Sequence, residues 1–270
     1  MKSACPVTVV AYERTGLDLT VAFLPDQAFV VPGEVATQFP QALAEWKKRL
    51  AFDSVRVQPS HISVRGNVVE LSGGPIRYSE LRALKQCLRN LHNEAPATFA
   101  NLPAGFVSSA GLVVAVVSAE GLVLAALRGN KVAVHANRWT LGLGEGLEAI
   151  DFQAGTLDRA VLRALSEELH ISEADMPAAS VKILGLVRNL ETLDITVVAV
   201  ADMQGAGQAF AAAEIVRRAA AADDAWEHAQ LVFIPPERAS LDRTVASSGF
   251  SEVPGMHVVF KMLVGYLSAS

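Results

Sequence analysis

Two adjacent glutamates, Glu167 and Glu168, follow an arginine in the segment LRALSEELHI, residues 162–171. On a helix, Arg163 and Glu167 would share one face, and Glu168 would lie in the neighbouring row with Ala164. Carboxylates at the edge of an apolar stripe are suitable ligands for a divalent cation that must leave coordination positions open for substrate phosphates. The same pattern is also typical of a surface Arg163–Glu167 pair worth about 0.2–0.5 kcal/mol, with Glu168 solvated.

Side chains that could hold the rest of a phosphate-containing substrate lie in neighbouring segments. Arg128 and Arg138 are candidates for binding phosphate charge, and Arg188 is a weaker candidate of the same kind. Trp139 is a candidate for stacking on a base or another ring. Each has a structural alternative, because an arginine that ends a strand is commonly a surface residue and a tryptophan beside a loop commonly belongs to the core.

The composition of the chain excludes several classes of protein. Of its 270 residues, 51% are apolar and 19% are charged, which is typical of a globular protein and not of a disordered one. The net charge of −5 and the lack of a basic run make a nucleic-acid polymer an unsuitable partner. The P-loop, HExxH and GxSxG motifs are absent from the sequence, which disfavours a P-loop NTPase, a zincin protease and an α/β-hydrolase.

Cysteine content and hydropathy predict a cytoplasmic protein without a membrane span. Cys5 and Cys87 are the only cysteines and neither belongs to a CxxC motif, so neither a disulfide framework nor a zinc site is supported. The apolar stretch near the start is too short for a signal peptide. The most apolar region, residues 111–127, is interrupted by Glu120–Gly121 and is predicted to be a β-hairpin.

Hydrophobic periodicity indicates two regions separated by a Pro-, Asn- and Ala-rich segment at 92–105. The first is predicted to contain strands at 7–12 and 19–24 joined by a turn at Thr15–Gly16, a helix over 40–52, strands within 54–73 and a helix over 78–91. The second is predicted to contain the hairpin, a glycine-rich loop with one short strand over 129–155, the helix Thr156–Leu169, strands at 181–188 and 194–203, a helix over 211–222, a strand at 229–235 and a helix over 256–267. Thr156 or Asp158 is expected to cap the glutamate helix. We expect an N-terminal α+β domain over 1–104 and a second domain over 105–270.

The glutamate segment resembles the Nudix superfamily, whose box is written G-x5-E-x7-R-E-U-x-E-E-x-G-U, where U is an aliphatic residue. RALSEELHI matches the last nine positions at Arg163, Leu165, Glu167, Glu168 and Ile171. A longer resemblance, to bacterial Nudix-like proteins with an extra N-terminal region, includes WTLGLGEG at 139–146 and Trp226–Glu227. The resemblance covers roughly residues 105–270. It implies an α+β fold, with a Nudix-type α/β/α sandwich and mixed sheet preceded by a smaller α+β domain.

The box departs from the family pattern at several positions. Ala164 stands where the family has its first helix glutamate, usually a metal ligand, and His170 replaces the glycine after the glutamate pair. Strict spacing places Gly155 at the isolated upstream glutamate. Either a longer loop lets Glu145 or Glu148 serve as the upstream carboxylate, or the metal site is incomplete.

The resemblance implies roles for the retained residues. Glu167 and Glu168, with Glu145 as a third ligand, would hold Mg²⁺ or Mn²⁺ against a diphosphate, and the metal would activate a water. Arg163 would fix the glutamates by hydrogen bonding without touching the substrate. Glu191, in the turn NLETLD, would act as general base, as acids of late loops do in relatives.

Two functions follow from this pattern, and the sequence leaves both open. The first is a metal-dependent hydrolase of a nucleoside diphosphate-linked or related pyrophosphate compound, in which Asp194 is a second candidate for the general base. The alternative is a catalytically impaired Nudix-fold module that binds a nucleotide or phosphate ligand, or a protein partner, for regulation. Ala164 favours the module, because loss of one of about three carboxylates weakens metal binding. The expected partner is a small-molecule diphosphate, and a homodimer is a further expectation.

His61, His135 and His228 are expected to be structural.

Overall fold

The computed structural model describes residues 7–50, 53–103, 105–132, 134–176, 180–237, 253 and 255–269. Within these ranges the chain forms a mixed sheet with helices on both faces. The strands are β1 (Val7–Phe23), β2 (Val55–Arg65), β3 (Val68–Arg77), β4 (Ala110–Val117), β5 (Val123–Arg128), β6 (Trp139–Leu141), β7 (Leu143–Gly146), β8 (Val181–Asn189), β9 (Ile195–Asp202) and β10 (His228–Ile234). The helices are α1 (Phe39–Arg49), α2 (Tyr78–Glu94), α3 (Pro96–Phe99), α4 (Ala149–Gln153), α5 (Asp158–Leu169), α6 (Ala212–Ala219) and α7 (Met256–Leu267).

The strand order of the sheet is β10-β5-β4-β9-β8-β1-β3-β2, with β6 on β5 and β7 on β4. β4 and β9 are parallel, as are β1 and β3, whereas the other paired strands are antiparallel. The predicted α+β class with a mixed sheet is therefore confirmed. None of the described helices is long and apolar enough to cross a membrane.

β1 joins the N-terminal part of the chain to the rest of the sheet. The prediction of two strands separated by a turn at Thr15–Gly16 is wrong, because one strand runs through both segments. Its first part pairs with β8, and from Asp18 onward it pairs with β3. The register shifts between Tyr12 and Leu17, where Gly16 has a φ of 107°. The glycine therefore permits a bulge in a continuous strand. The division into domains at residue 104 stays a prediction, since one sheet spans both sides of it.

The helices cover the two faces of the sheet in separate apolar layers. Successive side chains of a strand point to opposite faces. On β4, Leu112 and Val114 belong to the same buried cluster as Leu165 of α5, whereas Val117 belongs to the cluster that contains Leu263 of α7. This is the α/β/α layering expected from the Nudix resemblance.

The glycine-rich loop contains more regular structure than its sequence predicts. It was expected to hold one short strand, but β6, β7 and α4 all lie between Trp139 and Gln153. β7 pairs with β4 over Gly111–Val114, while β4 and β5 are paired at Val117 and Val123, next to their turn. The two strands of the predicted hairpin are therefore paired next to their turn, and β7 takes the place beside β4 further from the turn.

α5 begins and ends close to its predicted bounds, but its cap differs. The N-cap residue is Leu157, and no side chain forms a cap hydrogen bond. Thr156 Oγ1 instead lies 3.4 Å from Asp158 Oδ2. At the other end, His170 adopts a left-handed conformation with φ 55° and ψ 40°. This conformation explains why the family box has glycine at that position, since a left-handed residue after a helix favours glycine.

Replacing His170 by glycine is expected to stabilise the fold. A left-handed backbone costs a residue with a Cβ atom about 1–2 kcal/mol, and His170→Gly removes that cost while adding some backbone entropy to the unfolded chain. The net gain should be about 0.5–1 kcal/mol in urea denaturation. His170→Ala is the matched control, because alanine keeps the Cβ atom and should give no gain. Equal stabilities of the two variants would contradict this explanation.

Candidate functional site

Arg163 of α5 is the centre of a group of carboxylates. Its guanidinium lies 3.1 Å from Glu145 of β7, 2.9 Å from Asp151 of α4 and 3.3 Å from Glu167, one turn further along α5. The shared face predicted for Arg163 and Glu167 is confirmed. Burial opposes the charge of Arg163, but Glu145 and Asp151 together raise its pKa. Arg163 therefore forms ion pairs with three carboxylates, and its role in positioning metal ligands stays a prediction.

A second arginine, Arg56, enters the same group from β2. Its Nη1 atom lies 2.9 Å from Glu148 Oε1 and 3.7 Å from Glu145 Oε1, and donates to the carbonyl of Gly146 at 2.8 Å. A β-bridge between Arg56 and Glu148 holds the two backbones together. The sequence did not identify Arg56, because its place in an alternating strand resembles that of any half-exposed residue. Glu145 is consequently shared between two guanidinium groups.

Glu168 lies in a separate, buried environment. Its side chain is 4% exposed, and its Oε2 atom lies 2.7 Å from Nε2 of His228, whose side chain is 3% exposed. Burial, followed by the charges of Glu227 and Glu145, raises the pKa of Glu168 well above its usual value. Burial and the charge of Arg128 lower the pKa of His228 to about 4.

Both shifts disfavour charge on this buried pair, whose hydrogen bond joins Glu168 Oε2 and His228 Nε2. The expectation that Glu168 is simply solvated is therefore wrong. The structural role expected for His228 is confirmed, and its partner is sixty residues away along the chain.

The carboxylates in this arrangement do not fit a divalent cation. Ala164 is fully buried in the apolar cluster beneath α5, where it supplies no ligand. Glu168 is desolvated and bonded to His228, and Glu145 is held by two arginines. Across the described ranges, no group of three or more His, Cys, Asp or Glu side chains has a geometry that could hold a metal ion. Glu167, whose side chain is 36% exposed, is the most accessible of the predicted ligands.

The acids proposed as general base lie in the turn between β8 and β9. Glu191 donates its backbone N–H to Asn189 Oδ1 at 2.8 Å, and Thr192 hydrogen-bonds to Asp194. Asp194 also forms an ion pair with Lys85 of α2 at 3.3 Å. Asp194 is thus committed to the N-terminal helices, and the catalytic role of Glu191 stays a prediction.

The residues predicted to bind substrate have structural contacts. Arg128 pairs with Glu227 at 3.0 Å and donates through Nε to the carbonyl of Val134 at 3.3 Å. Arg188 donates to the carbonyl of Phe106 at 2.8 Å. Trp139 is half-buried and packs against the apolar cluster of α7, whereas Arg138 is exposed. The core position expected as the alternative for Trp139 fits its packing, and the substrate-binding roles of Arg128, Arg138, Arg188 and Trp139 stay predictions.

Comparison with solved structures finds similar proteins at low sequence identity. DR0079 from Deinococcus radiodurans is 13% identical with a TM-score of 0.40, and the match covers 57% of this chain and 82% of that one. A bifunctional NMN adenylyltransferase/ADP ribose pyrophosphatase from Francisella tularensis is 14% identical with a TM-score of 0.39, covering 69% of this chain and 48% of that one. The Nudix hydrolase RenU from M. smegmatis is 17% identical with a TM-score of 0.34, and the match covers 60% of this chain and 85% of that one.

No protein-family model matches the sequence, and no curated protein matches it.

Substitutions of Glu168 test whether the protein needs its side chain for a hydrogen bond to His228 or for its negative charge. Glu168→Gln keeps a hydrogen-bonding group opposite His228 and should leave the free energy of unfolding nearly unchanged. Glu168→Ala leaves a buried imidazole nitrogen unpaired and should cost about 1–3 kcal/mol. Urea denaturation measures both effects.

The neighbouring residue provides the matched control. Glu167→Gln and Glu167→Ala should each cost less than about 1 kcal/mol, because the Glu167–Arg163 pair is partly exposed. Equal losses for Glu168→Gln and Glu168→Ala would contradict a structural role for the Glu168–His228 hydrogen bond.

Proposed function

We propose that this protein is a Nudix-fold module that binds a phosphate-containing small molecule and lacks metal-dependent hydrolysis. The observation that carries the proposal is the buried pairing of Glu168 with His228. In the sequence-based interpretation Glu168 is a metal ligand, yet its side chain is 4% exposed and hydrogen-bonded to His228, and burial raises its pKa well above the usual value. A buried carboxyl group that is already hydrogen-bonded offers a divalent cation little access.

The charge balance around α5 supports the same conclusion. Arg56 and Arg163 form ion pairs with Glu145, Glu148 and Asp151 and offset two of their three negative charges. A cation entering this group would have to displace at least one guanidinium and lose its own hydration, and both changes oppose binding. The arginines therefore supply part of the positive charge that a metal would otherwise supply.

A metal-dependent pyrophosphohydrolase is the second candidate. It is favoured by the convergence of Glu145, Asp151 and Glu167 on Arg163, because acids gathered at one point repel each other unless a cation offsets them. In this interpretation Asp151 supplies the carboxylate that Ala164 lacks. Arg163 is itself a cation that offsets part of the repulsion between these acids, so their convergence does not require a metal. The binding module is therefore the first candidate.

An activity screen distinguishes the two candidates. Nucleoside triphosphates, nucleotide sugars, dinucleoside polyphosphates and nicotinamide or flavin dinucleotides are incubated with Mg²⁺ or Mn²⁺, and phosphate or nucleotide release is measured. We expect no release above the background without protein, and the same result for Glu168→Gln. The exposed Glu173→Gln serves as a control for the loss of one carboxylate. Metal-dependent turnover by the wild type that Glu168→Gln abolishes and Glu173→Gln retains would overturn the proposal in favour of the hydrolase.

A further inference from the structure

α2 presents a row of basic side chains on one face. Arg82, Lys85 and Arg89 are three and four residues apart, so they follow one another along the same side of the helix. We call these three residues the α2 basic face. The apolar side of α2, which includes Leu84 and Leu88, is buried in the cluster of the N-terminal helices.

The turn between β8 and β9 lies against this helix. Leu193 belongs to the same apolar cluster as α2, and Asp194 pairs with Lys85 at 3.3 Å. The basic face is therefore fixed against the body of the protein and is not a loosely attached surface.

The carboxylates near the α2 basic face balance only part of its charge. Lys85 pairs with Asp194. Within the described part of the chain, no carboxylate forms an ion pair with Arg82 or Arg89.

Arg82 stacks instead on the ring of Trp46, with its guanidinium carbon 4.6 Å from the ring centroid. Its buried Nε atom has no hydrogen-bond partner among the described residues. Among the described residues, Arg82 and Arg89 thus have no ion-pair partner, in a chain whose net charge is −5.

We propose that the α2 basic face binds the diphosphate group of a small-molecule ligand. This inference rests on the proposed function, since it names the ligand class and the place where the module would hold it. Guanidinium groups match phosphate oxygens with paired hydrogen bonds, and Lys85 adds a compact positive charge. A diphosphate supplies the negative charge that Arg82 and Arg89 lack.

Binding of two probes to the full chain tests the proposal. Inorganic pyrophosphate and ADP are titrated by calorimetry without divalent cations into the wild type, Arg82→Gln/Arg89→Gln and Lys47→Gln/Lys48→Gln. The last variant removes the same charge from exposed positions of α1. We expect both probes to bind the wild type, at least tenfold weaker binding to the α2 variant, and a change of less than twofold in the α1 variant. Tighter binding of ADP would identify a nucleotide as the source of the diphosphate, and equal binding a free diphosphate.

Several outcomes would overturn the proposal. These are unchanged binding by the α2 variant, no binding of either probe to the wild type, or binding of a single-stranded oligonucleotide without binding of pyrophosphate. Because Arg82 packs on Trp46, Arg89→Glu is a second test that leaves this contact intact, with Lys48→Glu as its control. Metal-dependent hydrolysis in the activity screen would overturn the proposed function alone. If no hydrolysis is seen and the α2 variant binds the probes as tightly as the wild type, only this inference is overturned.

Discussion

A shared ionic group joins the two halves of this chain. Glu145 lies between Arg163 of α5 and Arg56 of β2, and burial raises its pKa above the usual value despite both positive charges. Partly buried charges are costly unless they are paired and hydrogen-bonded. The position of β7, α4 and α5 around these arginines therefore follows from the need to neutralise the carboxylates that those elements carry.

The continuous sheet makes this neutralisation possible. Arg56 reaches the site because β2 pairs with β3, β3 pairs with β1, and β1 continues alongside β8. Contacts from β2 to the loop after β7 then place Arg56 opposite Glu148. An N-terminal region attached through a flexible linker would not hold one guanidinium at a fixed distance from these acids. The N-terminal region is part of the site, and its helix α2 carries the cations of the proposed diphosphate-binding surface.

The glutamate pair shows how identical neighbours acquire different chemistry. Glu167 is partly exposed and bonded to Arg163, whereas Glu168, the next residue on the helix, is buried against His228. A helix turns by about 100° per residue, so adjacent side chains face different surroundings. One carboxylate therefore pairs with a cation at the surface, and the other is hydrogen-bonded in a buried environment that raises its pKa well above the usual value.

The sequence by itself determined the features that depend on local periodicity. These include α5 with its Arg163–Glu167 pair, the antiparallel β8 and β9, and the closing helix α7, because apolar spacing and helical geometry act over a few residues. The tertiary structure decided the partners of the site. Arg56 lies ninety residues from the carbonyl of Gly146 that it binds, and His228 lies sixty residues from Glu168. The union of two predicted strands into β1 likewise depends on β3 and β8. Such contacts arise from packing between distant segments, and no local pattern encodes them.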